Sequence, residues 1–180
     1  MAIIESNIRS DEMKVDRAGV EAFRRRLSGG VVCPGDQAYE AARAVWNGMI
    51  DRRPALIAYC ANRQDVIEAV NFARTTDILT AVRSGGHNIA GASLCDGGLV
   101  IDLSRMNRVT VDAATRTARA EGGALLADLD AATQAHGLAT TTGVNSDTGL
   151  IGLTRRRHRP ARPQARTELR QHGIGRGRRG

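Results

Sequence analysis

The tightest constraint on how this chain folds is a pair of short apolar runs flanking an amphipathic helix, with a glycine-rich loop directly after the second. Residues 55–59 (ALIAY) are continuously apolar and too few for a helix, as a strand buried on both faces requires. Asn62 can cap a helix that carries Asp65 in its first turn and Val66, Ile67, Val70 and Ala73 on one face. Residues 79–82 read as a second strand. A strand, a helix and a strand so closely spaced form a βαβ unit.

Around this unit the pattern is less regular. Residues 1–19 show no period and read as a loose lead. Apolar residues recur at helical spacing over 20–27 and again over 38–49, with Pro34, Gly35 and Asp36 forming a turn between them. Downstream, residues 99–103, 109–112 and 117–121 read as strands, the last two joined by a turn. Leu125, Leu126, Leu129 and Ala132 then predict a helix closed by Gly137, and residues 138–141 a final strand. The expected fold class is α+β, without internal repeats.

Composition narrows the class further. The chain has 180 residues, 42% of them hydrophobic, enough for one domain with a core and too apolar for a disordered chain. Its net charge of +7 suggests a nucleic-acid binder, but the charge is unevenly placed. Residues 1–154 hold 16 Lys or Arg against 18 Asp or Glu, whereas residues 155–180 hold 10 arginines against one glutamate. The basic character belongs to the tail alone. Cys33, Cys60 and Cys95 are odd in number and widely spaced, which predicts reduced structural thiols, no metal site and a cytoplasmic protein. No secretory leader and no membrane-length apolar run is expected.

The candidate chemistry lies in two glycine-punctuated loops. Arg83, Ser84, Gly85, Gly86, His87 and Asn88 leave the end of the predicted strand 79–82. Adjacent glycines let successive backbone N–H groups converge on an anion, so the loop is a candidate phosphate cradle. It is neither a P-loop nor a Rossmann fingerprint, and a plain surface turn is the alternative. His87 would project beside whatever those amides hold, or be a hydrogen-bonded bystander. The second loop, residues 140–152, contains Thr142, Gly143 and Gly149 and can offer hydroxyls and amides to a ligand, or serve as a connection.

Several ordered segments resemble the FAD-linked oxidases of the berberine bridge enzyme and hydroxynicotine oxidase type. They are RSGGHN at 83–88, DGGLVIDLSRMN at 96–107, AEGGA at 120–124 and TGVN at 142–145, with PGDxxYExARxVWN at 34–47 and RPALI at 53–57 upstream. The resemblance implies that residues 20–154 are part of an FAD-binding domain of the p-cresol methylhydroxylase type, the cofactor being FAD. By that resemblance Arg83, Ser84, Gly85, Gly86, His87 and Asn88 would wrap the pyrophosphate. His87 would carry a covalent bond to the flavin 8α-methyl group, and Thr142, Gly143 and Gly149 would lie along the isoalloxazine and ribityl side. Relatives with a second flavin bond place a cysteine where this chain has Asn145, so one covalent link at most is expected. The implied reaction takes a hydride from a substrate carbon bearing N or O onto flavin N5, with reoxidation by O₂. The expected partner is a small-molecule substrate. No catalytic acid or base is assigned.

The resemblance stops after Thr154, where the family continues with a further glycine turn and this chain reads RRRHRPARPQARTELRQHGIGRGRRG. With GC-rich codons, reading the same tail one base later gives GGGIGRLARKHGLSCDN, the family continuation. The freedom is limited: in the shifted frame His158 permits only Ile or Thr, Gln164 only Lys or Arg, and Gln171 only Asn or Ser. Residues 155–180 are therefore expected to be a frameshift product, disordered, attached to a chain that is incomplete and inactive. Two alternatives remain at this level, a non-catalytic flavin-binding module and a nucleic-acid binder acting through the basic tail. The tail lacks lysine and aromatic residues, and so offers no stacking platform for bases.

Overall fold

The computed structural model describes residues 16–152 and, beyond them, 167–168 and 170–171. Its centre is a four-stranded sheet of β1 (Val31–Val32), β2 (Leu56–Tyr59), β3 (Thr80–Arg83) and β4 (Leu99–Asp102), in the order β1-β2-β4-β3. β4 lies between β2 and β3 and runs parallel to both, while β1 pairs antiparallel to β2. Two layers cover the sheet. Leu56, Ala58, Leu99 and Ile101 face α1 (Arg17–Arg26) and α3 (Arg63–Thr76), where Phe23 and Phe72 stack with centroids 4.1 Å apart. Ile57 and Val100 face the opposite layer, formed by Tyr39, Ala42, Leu94 and Cys95. Burial on both faces explains why these strands read as unbroken apolar runs.

The second part is smaller. β5 (Val109–Asp112) and β6 (Thr117–Ala120) form the expected hairpin, and α4 (Leu126–Gln134) leads to β7 (Leu138–Ala139). Gly137, at φ +64°, ends the turn after α4 as predicted. Of the Arg-rich tail, β8 (Thr167–Glu168) pairs with β6 and β9 (Arg170–Gln171) with β7. The rest of the tail, expected to be disordered, lies outside the described residues, as does the lead up to residue 15. Among the described residues, no helix is long and apolar enough to cross a membrane.

Three expectations need correction. α1 begins within the predicted loose lead, because Asp16 accepts from the Gly19 amide and caps it at 2.7 Å. The helix expected over 38–49 is only α2 (Tyr39–Arg43): Ala44 turns extended, and its carbonyl accepts from Arg83 Nη1 at 3.3 Å. α3 is capped by Asn62 as expected, and Val66 and Ala73 of the predicted face pack against the core, but the buried stripe is rotated away from Ile67 and Val70. Ile67 and Val70 are 40% and 42% exposed, while Asp65, Ala69, Phe72 and Ala73 face the core. A carboxylate in the buried stripe is what displaces the apolar reading.

Asp65 is 1% exposed and accepts from the backbone amides of Ser28, Gly29 and Ala61 at 3.0, 3.0 and 2.9 Å. Burial alone would raise its pKa. The Ser28, Ala61 and Gly29 amides outweigh that and hold the carboxyl below its usual range. A depressed folded-state pKa gives stability that is present above the unfolded value and lost as pH falls through the folded one. Asp65→Ala should therefore cost about 3 kcal/mol at neutral pH, with the deficit shrinking below about pH 4. Urea unfolding of both proteins at neutral and acid pH checks this, and equal stabilities at pH 7 would contradict it.

Candidate flavin site

The three parallel strands end in one row: Tyr59 is the register partner of Asp102, and Asp102 that of Arg83. Open parallel sheets bind ligands beyond these carboxyl ends. The row contains a buried ion pair, Arg83 Nε to Asp102 Oδ2 at 2.5 Å. Asp102 Oδ1 also accepts from the Ser104 amide at 2.8 Å, and Arg105 lies 4.8 Å over the Tyr59 ring while donating to the Gly29 carbonyl. A cavity of about 270 Å³ opens over this row, lined among others by Trp46, Tyr59, Arg83, Ser84, Gly85, Gly86 and Asp102.

The first glycine loop springs from Arg83, and the second comes to meet it. A Cβ on Gly85 would lie 2.3 Å from the Gly149 nitrogen, and one on Gly149 would lie 2.5 Å from the Gly85 nitrogen. Only glycine at both positions allows this backbone contact. The second loop is anchored from behind, because the Leu126 and Ala127 amides of α4 donate to the Thr148 and Ser146 carbonyls at 3.0 and 2.9 Å. Leu150 returns a bond to Ala124 at 2.9 Å.

The predicted site residues divide. Ser84, Gly85, Gly86 and Gly149 come together, and Ser84 Oγ is buried with no hydrogen-bond partner among the described residues. A buried hydroxyl beside the Gly149 backbone can donate to an oxyanion, a chemistry that fits a diphosphate. Arg83 lines the cavity, but its guanidinium is turned to Asp102 and ion-paired there. Asn88 is used locally, its Oδ1 accepting from the Ala92 amide at 3.0 Å. Thr142 and Gly143 are half-buried and do not line the cavity. His87 stands beside the loop, stacked on Trp46 and facing Asp147.

Sequence reasoning assigned no site role to Asp102, Tyr59, Trp46 or Asp147. Asp102 carried a signal: a carboxylate in the apolar run LVID must find a partner when the strand is buried on both faces. The other three depend on tertiary placement. The cysteines stand apart from the cavity. Burial first, then the Asp65 and Asp102 carboxylates, push the Cys60 thiol up to about 12, and burial likewise raises Cys33 and Cys95.

The strand ends and paired glycine loops define a domain built to hold a large anionic cofactor. A sequence-family model described as FAD binding domain matches residues 54–158. (R)-6-hydroxynicotine oxidase of Paenarthrobacter nicotinovorans is 39% identical over 127 residues, covering 71% of this chain and 28% of that protein. The crystal structure of 6-hydroxy-D-nicotine oxidase from Arthrobacter nicotinovorans superimposes with a TM-score of 0.68 at 38% identity, over 71% of this chain and 28% of that one. BBE-like 1 of Physcomitrella patens shares the fold, with a TM-score of 0.69 at 24% identity, over 74% and 29% of the two chains. The chain belongs to the FAD binding domain family of the FAD-linked oxidoreductases, and its cofactor is FAD. It spans about 28% of the length of the two hydroxynicotine oxidases.

The contact between the two loops can be tested without flavin. Gly85→Ala should force the loops apart at a cost of about 1–3 kcal/mol and shift the amide resonances of Thr148, Gly149 and Leu150. Gly48→Ala, where a Cβ meets nothing within 4 Å, should be silent. Heteronuclear spectra and thermal melts of both variants decide, and an unperturbed Gly149 in Gly85→Ala would contradict the contact.

Proposed function

We propose that this chain is the flavin-holding part of an FAD-dependent oxidase whose small-molecule substrate gives up a hydride from a carbon bearing N or O. The observation that carries the reading is the Ser84 hydroxyl, buried beside Gly149 and unpartnered among the described residues. Ser84 Oγ and the backbone amides of Gly85, Gly86 and Gly149 would donate to the diphosphate, while Thr142 and Gly143 lie further along the second loop. Arg83 acts indirectly: its guanidinium fixes the strand end and the Ala44 carbonyl, and so the direction in which the loop leaves the sheet. When bound, the flavin supplies a two-electron acceptor at N5, with dioxygen as the expected final oxidant.

His87 is proposed as the point of covalent attachment. A neutral imidazole is a competent nucleophile near pH 7, and the diglycine places it next to a cofactor held by its phosphates. Reconstitution with FAD followed by denaturation tests the link. Flavin should stay with the wild-type chain and be released from His87→Ala, and release of all flavin from denatured wild type would refute the attachment. The three thiols, free among the described residues, support a cytoplasmic protein.

The tail is proposed to arise from a shifted frame after Thr154. Its support is the family-like GGGIG reading one base away, together with the change from a net charge of −2 to +9 at that point. A nucleotide read across the codons for residues 152–157 from independent DNA should show a small insertion or deletion. Confirmation of the recorded frame would contradict the shift.

A further inference from the structure

Two side chains from separate segments meet at His87. Trp46, just beyond α2, stacks on the imidazole with centroids 5.5 Å apart and planes inclined by 23°. Asp147, on the second glycine loop, brings Oδ2 to 3.7 Å from His87 Nε2. The imidazole is 17% exposed and the carboxylate 66%. Asp147 is not a free surface acid, because its neighbours Ser146 and Thr148 are tied to the start of α4 and Gly149 rests against Gly85.

We propose that Asp147 is a positioning residue for His87: it holds the imidazole proton on Nε2 and so presents Nδ1 as the nucleophile toward the flavin. This deepens the covalent reading above and rests on it. A neutral imidazole carries one N–H and one lone pair. At 3.7 Å the contact is too long for a hydrogen bond, so selection is electrostatic: the carboxylate attracts an N–H dipole on the near nitrogen and repels a lone pair there. Stacking on Trp46 opposes the ring flip that would exchange the two nitrogens.

The Nδ1 lone pair forms the bond to the 8α carbon as the methyl group gives up one proton and an electron pair. Dioxygen takes the pair, with that proton and one from solvent, and leaves as hydrogen peroxide. The ring is left cationic with its remaining N–H on Nε2, facing Asp147. The carboxylate that selects the tautomer therefore also stabilises the charge that develops.

The test uses the full chain, with and without FAD. In ¹⁵N-histidine long-range correlation spectra without flavin, wild-type His87 should show a protonated Nε2 and a bare Nδ1, and Asp147→Ala should move toward a mixture. With FAD, Asp147→Ala should slow covalent incorporation roughly fivefold or more, the effect of a unit charge about 4 Å away in largely aqueous surroundings. Reversible FAD binding should be unchanged. An unaltered tautomer in Asp147→Ala overturns the proposal whatever the flavin does, and so does an unaltered rate of incorporation. Tautomer loss in Asp147→Ala, with no covalent flavin in wild type, supports the Asp147 contact and overturns the covalent reading beneath it, so the two failures are distinguishable.

Discussion

The buried pair of Arg83 and Asp102 organises this molecule. It joins β3 to β4 at the last register position before both strands become loops, with Tyr59 of β2 in the same row. Two charges are expensive to bury singly and tolerable together when further bonds satisfy them, as the Ser104 amide and Ala44 carbonyl do here. Removing either partner would strand the other charge under a sheet. The pair also extends outward, since holding Ala44 stops α2 and turns Val45 and Trp46 toward the cavity.

The glycine loops inherit their placement from this row. The first starts at Arg83, so its direction is set by a residue that cannot turn away from Asp102. The second reaches the same place by another route, hung on the first amides of α4 and pressed against Gly85. Two distant stretches of chain thus meet at one place, with the buried Ser84 hydroxyl beside Gly149. Such an arrangement depends on rigid support behind it, because the loops contribute little packing of their own.

Much of the framework was legible in the sequence. The βαβ unit, the 109–120 hairpin, the Asn62 cap and the Gly137 stop all carry local signals, and the structure bears them out. The two glycine loops were legible as loops, and the family resemblance joined them to one cofactor. Their contact was not legible, since nothing in either sequence segment states that Gly85 needs space for Gly149. The α3 face was partly misread because Asp65 looks like a first-turn surface acid, while the Ser28, Gly29 and Ala61 amides make it a buried one. α2 was read too long because its apolar spacing continues through Trp46 and Met49, whereas Trp46 in fact leaves the helix to stack on His87.

Amide hydrogen exchange with and without FAD decides whether the 84–86 and 148–149 backbones together form the flavin phosphate cradle. Protection on adding FAD should appear at Gly85, Gly86 and Gly149 together and leave the 109–120 hairpin unchanged. Protection confined to other segments, or at one glycine loop without the other, would contradict that cradle.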